Sequence, residues 1–311
     1  MTKTRPSASS RTDHATSIRG ARILVLIMSL AWGMNWVMSR ITLNELPPWG
    51  SRFISLGGGT LVLFVIVWLG GRRLRIARRD WLHVAIASFF NVTAFNIFNL
   101  AALMAGNASR AVVIAYSMPI WSSLMAWLML DERFDRIRAL ALLLCAAGLA
   151  TLIWPLAQHG LPLSALYALG CALVWAAGTI YMKWARIDAE PMSLAAWQLL
   201  AGWVTIAAGM FVFEGLPSVG GLHASTIFAL AYNGLIGFGL AYSLWFAIVE
   251  RLPAMTASLG SLLVPVVGIV AAAAILGERP TVTDYVGFAL IFAAAACVLL
   301  RPDIKHQEMP E

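Results

Sequence analysis

An all-α membrane protein is what this 311-residue sequence predicts: ten transmembrane helices in two five-helix repeats of inverted topology, both termini cytoplasmic. Three observations carry that expectation. Hydrophobic residues make up 60% of the chain and charged residues 12%, whereas a soluble domain carries about 25% charge. So few polar groups could not cover that much apolar surface in water. The apolar residues also fall into ten runs, each of roughly the 20 residues that a bilayer-spanning helix needs. Finally, the basic residues crowd into alternate connections. The runs are continuous rather than alternating, which excludes barrel strands.

Residues 1–20 are polar, rich in Ser, Thr and Arg, and are expected to form a mobile cytoplasmic tail. The runs 22–39, 50–70, 81–103, 108–130 and 137–154 build a first repeat over 21–155. The runs 163–183, 192–213, 224–248, 254–276 and 283–300 build a second over 160–301, and 302–311 form a polar tail. Basic residues ahead of Ile23–Leu30 imitate a signal peptide, but no small-residue cleavage site follows. Of the 22 basic residues, 18 fall in the tails and the even-numbered connections. Three (Arg40, Arg110 and Arg279) fall on the other side, and Arg52 lies inside the second run. Positive charge stays inside, so this split places both termini in the cytoplasm of a cell inner membrane. The net charge of +7 and the Arg72–Arg79 cluster then reflect anchoring against anionic lipid, not nucleic-acid binding.

The two halves correspond at fixed offsets. Adding 143 takes Ala31-Trp32-Gly33-Met34, Arg40 and Pro48 to Val174-Trp175-Ala176-Ala177, Lys183 and Pro191. Adding 146 takes Tyr116-Ser117-Met118-Pro119 to Leu262-Leu263-Val264-Pro265, and Leu130-Asp131-Glu132-Arg133 to Leu276-Gly277-Glu278-Arg279. Five helices per half is odd, so the second half enters the membrane from the opposite face. Such inverted repeats are a mark of secondary transporters.

No catalytic or metal constellation is visible. Cys145, Cys171 and Cys297 sit singly in apolar runs, and the five histidines have no ligand spacing. All 15 acidic residues lie in tails, connections or helix ends. An intramembrane carboxylate usually marks a cation site or proton relay. Its absence argues against organic cations handled by a central carboxylate, and against a membrane-embedded lipid-modifying enzyme.

The groups left at membrane depth are neutral and aromatic. Trp32, Asn35, Trp36, Asn96, Asn99, Tyr116, Ser117, Trp175, Tyr181, Tyr232, Tyr242 and Ser258 are the candidates for lining a central cavity. Thr179, Trp245 and Ser261 lie at similar depth. Asn and Ser also serve as glue between membrane helices, and Trp and Tyr as interfacial belts. Arg52 has two readings: snorkelling to the outer interface, or steering a substrate carboxylate in an outer vestibule. Pro119 and Pro265 lack an N–H, free a carbonyl one turn earlier, and are candidate hinges.

The Trp32-Gly33 helix, the ending Leu130-Asp131-Glu132 and the segment Ile275-Leu276-Gly277-Glu278-Arg279-Pro280 resemble the drug/metabolite transporter superfamily, in its ten-helix EamA-type branch. The likeness covers residues 22–300. It implies an inner-membrane exporter of amino acids, aromatic ones included, and related metabolites, working by alternating access. A drug or other metabolite exporter of the same fold is the alternative. It implies a small-molecule substrate and a lipid bilayer as partners, no cofactor, and a single chain sufficient to hold the cavity.

Overall fold

The computed structural model describes residues 8–130, 136–157, 163–251 and 261–299, in which all regular structure is helical and no strand occurs. In chain order the segments are α1 (Ala8–Thr42), α2 (Pro48–Leu69), α3 (Arg78–Ala105), α4 (Ala108–Leu130), α5 (Arg136–Ala157), α6 (Leu163–Ala185) and α7 (Pro191–Phe213). They continue with α8 (224–251), α9 (Val264–Leu276, after a 3-10 turn Ser261–Leu263) and α10 (Val282–Leu299). Seven are long and apolar enough to cross a membrane. In the other three helices, the apolar stretches among the described residues are Ala139–Pro155, Val264–Leu276 and Val282–Ala294. The run expected over 254–276 is described from Ser261 onward.

Helix α1 takes in residues 8–20, which the sequence suggested as tail. No proline follows Pro6 in this stretch, and extending a helix from a formed span avoids the cost of a new nucleus.

Helices α2 and α7 both start at a proline, Pro48 and Pro191, 143 residues apart. Proline suits a first turn because its missing N–H would have no partner there. Helices α3 and α8 each change to π-helix part-way, at Phe89–Ala94 and Tyr232–Leu240, and the two π segments also start 143 apart. Outward side chains such as Leu61, Leu143, Val204 and Phe228 are exposed, as a lipid-facing surface requires.

The main packing runs between halves. Helix α1 lies on α9 as α6 lies on α4; α2 lies on α8 as α7 lies on α3; α3 lies on α6 as α8 lies on α1. The equivalent helices α2 and α7, α4 and α9, and α5 and α10 also pack on one another. Two equivalent glycines bring the second of these pairings close. A Cβ on Gly59 would overlap the Phe238 Cβ and sit 3.0 Å from the Gly234 carbonyl oxygen; one on Gly202, 143 residues later, would overlap Val92.

At one end of the bundle, acids of one half bind helix starts of the other. Glu278 accepts from the Ala108 and Ser109 N–H groups at 2.9 and 3.1 Å. Glu214 accepts from the Trp49 and Gly50 N–H groups at 3.1 and 2.9 Å. Glu45 accepts from the His223 N–H at 3.1 Å and from its ring. Carboxylates are favourable there because they satisfy unpaired N–H groups at the positive end of a helix dipole. At the opposite end Glu190 caps its own helix through Ser193 and pairs with Arg72.

Two outcomes follow for stability. Gly59→Ala should destabilise the protein by about 1–3 kcal/mol through overpacking. Gly58→Ala, where the nearest atom to a new Cβ is 3.6 Å away, should be close to neutral; thermal unfolding in detergent compares them. Burial raises the Glu190 pKa, but Arg72 and the two Ser193 donors together outweigh it and hold the carboxyl below its ordinary 4.5. A depressed folded pKa stabilises above the ordinary value and stops doing so as pH falls through the folded one. The melting-temperature gap between wild type and Glu190→Gln should therefore be present at neutral pH and close below about pH 4.5.

Candidate functional site

Irregular backbone surrounds one cavity between the halves. Helix α4 is interrupted at Tyr116-Ser117, where Ser117 N–H turns to the Ile114 carbonyl at 3.1 Å. The chain then restarts at Met118, with Pro119 in its first turn. In α9 the 3-10 turn Ser261–Leu263 precedes Val264, with Pro265 in the same position. Both prolines thus open a new helical segment instead of kinking a continuous one. Ends of helical segments leave unpaired backbone groups, which at membrane depth must face protein or a cavity.

The π segment of α8 supplies one such group. Ala241 N–H bonds back five residues to the Ile236 carbonyl, and the Gly237 carbonyl accepts from Trp32 Nε1 at 3.1 Å. In α3 the Val92 carbonyl accepts from Asn96 Nδ2 at 2.6 Å. Trp32 and Asn96 both line the cavity. π-Bulges of this kind are frequent at functional sites.

The cavity encloses about 720 Å³ of atom-free space, open solvent included. Of the residues expected from sequence, Trp32, Asn35, Trp36, Asn96, Asn99, Tyr116, Trp175 and Tyr242 line it, together with Arg52 and Pro119. Trp32 stands at the centre of an aromatic wall, with the rings of Trp175, Tyr242 and Trp245 at 6.0, 5.7 and 5.7 Å. Phe95 lies 5.1 Å from Trp175, and Phe238 lies 6.0 Å from Tyr242.

Three expected residues are held elsewhere. Ser117 is buried, and its Oγ accepts from Trp121 Nε1 at 3.2 Å. Tyr181 shares a 2.7 Å bond with His83 Nδ1, near the Arg72–Glu190 end. Tyr232 donates to the Ala31 carbonyl at 3.2 Å, bridging α8 to α1. Tyr181 and Tyr232 thus bond across a helix contact, and Ser117 bonds within its own helix. Pro265 lies at a small apolar gap with Phe288 and Ile291, outside the main cavity. Ser258 lies outside the described residues.

Arg52 does not snorkel. It is 2% exposed, its Nη2 donates to Asn99 Oδ1 at 2.7 Å, and its Cζ lies 5.3 Å from the Phe238 ring centre. It enters the protein because α2 turns this position toward α3 and α8.

Phe95, Met118, Ser122, Gly237 and Phe238 line the cavity without being candidates from sequence, and Thr179, Trp245 and Ser261, placed at that depth but not assigned to the cavity, line it too. A signal for some of them existed. The offset of 143 pairs Trp32 with Trp175, Trp36 with Thr179, Phe95 with Phe238 and Asn99 with Tyr242, and all eight of these line the cavity. Extending the offset to the apolar Phe95 finds Phe95 and Phe238, and applying it to Trp36 assigns Thr179 to the cavity.

The chain matches the EamA-like transporter family twice, over residues 20–154 and 162–300. It is 24% identical over 273 residues to the uncharacterized transporter YoaV of Bacillus subtilis, covering 86% of this chain and 92% of that protein. It is 26% identical over 285 residues to a probable amino-acid metabolite efflux pump of Escherichia coli, covering 86% and 91%. The Salmonella typhimurium protein of the same name is 27% identical over 282 residues, covering 87% and 91%. A solved crystal structure superposes with a TM-score of 0.68 at 21% identity, over 91% of this chain and 97% of that one, and so shares its fold. With both halves matched, the chain is an integral membrane protein that belongs to the EamA-like transporter family.

Proposed function

We propose that this protein exports amino acids, aromatic ones included, and related small metabolites across a bacterial inner membrane. In this reading ten helices cross the bilayer as two inverted repeats over 21–155 and 160–301, with both termini cytoplasmic. The transport cycle is alternating access around the central cavity. The observation that carries the reading is the cavity itself, built from residues of both halves paired at one offset. A site shared by two equivalent halves can be closed by either, which gives two near-equivalent states.

The chemistry suits the cargo. Amide and phenol groups can hydrogen-bond the polar end of an amino acid, while the Trp32, Trp175, Tyr242 and Trp245 wall holds its side chain. The similarity to probable amino-acid metabolite efflux pumps points the same way. In the described conformation Arg52, Asn99 and Tyr116 are buried, while Thr179 and Ser122, toward the opposite end, are partly exposed. The glutamate-capped end is therefore the closed one, and the breaks before Pro119 and Pro265 are where α4 and α9 bend to exchange the two states.

Liposomes holding only this protein should take up and release radiolabelled amino acids, with aromatic ones among the best. No amino-acid flux, alongside flux of another metabolite, would remove the substrate class and leave the transporter. Pro119→Ala and Pro265→Ala should each slow flux several-fold and shift the labelling of cysteines placed at the two cavity ends. Unchanged flux and labelling in both variants would refute the hinges.

A further inference from the structure

We propose that Arg52 is a carboxylate anchor, which restricts the substrate to organic carboxylates, zwitterionic or anionic, that carry an apolar or aromatic side chain. This rests on the transport reading above and narrows its substrate class.

The guanidinium is a buried cation that the protein only half satisfies. It carries five N–H donors. Its Nη2 bonds a neutral acceptor, Asn99, and its Nε has no partner. Among the described residues no carboxylate pairs with it; Glu45 and Glu214, at the same end of the bundle, are engaged by His223 and by the start of α2. A buried charge without a counter-charge is costly, and this one lines an open cavity, so a ligand can supply the missing partner.

A second orphan donor lies against the same stretch of α8. The Asn35 Oδ1 accepts from Ser39 Oγ at 3.5 Å, while its Nδ2 is buried without a partner. Asn35 packs on Gly237, where a Cβ would occupy the place of that Nδ2, and Arg52 packs on Phe238, the next residue. Two unsatisfied donors, one of them charged, thus converge on neighbouring residues of one cavity wall. A carboxylate has two acceptor oxygens and accepts from an arginine in forked geometry.

The site is polarised because the repeat is broken here. The residue 143 after Arg52 is Ala195, and the residue 143 after its partner Asn99 is Tyr242. One half therefore contributes Arg–Asn and the other Ala–Tyr, beside the Trp32, Trp175 and Trp245 wall. A ligand with a carboxylate at one end and an apolar group at the other fits in one orientation. An amine without a carboxylate meets a buried positive charge.

The full-length protein in detergent, with binding read by equilibrium dialysis and ligand-dependent melting, tests this with four probes: L-phenylalanine, 3-phenylpropanoate, L-phenylalaninamide and phenethylamine. The two carboxylates should bind roughly ten- to a hundredfold more tightly than the amide and the amine, as expected for a charge-assisted hydrogen bond. Arg52→Gln should reduce the carboxylates to the level of the amide and weaken the amide far less than the acids. Arg52→Lys, which keeps the charge but not the fork, should retain a reduced preference. Asn35→Ala should weaken the carboxylates selectively. Equal binding of acid and amide by the wild type overturns the anchor even if every variant misfolds, and leaves the transport reading standing when liposome flux is intact. A well-folded Arg52→Gln protein that weakens acid and amide alike also overturns it. Failure of all four probes together with absence of amino-acid flux overturns both readings.

Discussion

Lipid offers no hydrogen bonds, so each backbone N–H and C=O at membrane depth must find its partner within the protein. Regular helices meet that demand wherever the chain faces lipid. Departures from regularity gather beside the cavity: the π segments of α3 and α8, the break at Tyr116-Ser117, and the 3-10 turn before Val264. The freed Gly237 carbonyl holds Trp32 in place, so the same constraint that makes the protein helical also positions its aromatic wall.

Charge obeys a parallel economy. The acids Glu45, Glu214 and Glu278 sit at helix starts, where N–H groups and dipoles stabilise them, and each reaches across to the other half of the molecule. They tie the two halves together at one end without placing a carboxylate in the cavity. Arg52 alone among the lining residues carries a formal charge. A neutral, aromatic chamber with one cation at its wall is a different solvent for a ligand than a chamber lined by acids.

The halves do not form two separate packing units. The principal helix contacts between the halves are matched by counterparts at the repeat offset, and Gly59 and Gly202 make the equivalent close approaches. Because packed interiors have discrete arrangements rather than continuous ones, an interlocked pair of equivalent halves is suited to switching between two states. The breaks in α4 and α9 fall at equivalent positions ahead of Pro119 and Pro265, so the interruption of regular backbone is itself part of the repeat.

The helical runs, their lipid-facing character and the repeat were legible from composition and spacing, because hydrophobic length and identical offsets survive in the one-dimensional chain. Most of the cavity was legible too: Trp32, Asn35, Asn96, Asn99 and Trp175 were candidates because polar and aromatic groups at membrane depth need a reason to be there. What could not be read was direction. Tyr181, Tyr232 and Ser117 have the same chemistry and depth, yet they face His83, the Ala31 carbonyl and Trp121. Arg52 has the stem length to reach the interface, and the rotation of α2 alone turns it toward Asn99 and Phe238. Sequence sets which side chains lie at which depth along a helix; the angle at which each helix faces its neighbours is fixed by packing among distant segments, and that angle decides whether a polar group joins two helices or waits for a ligand.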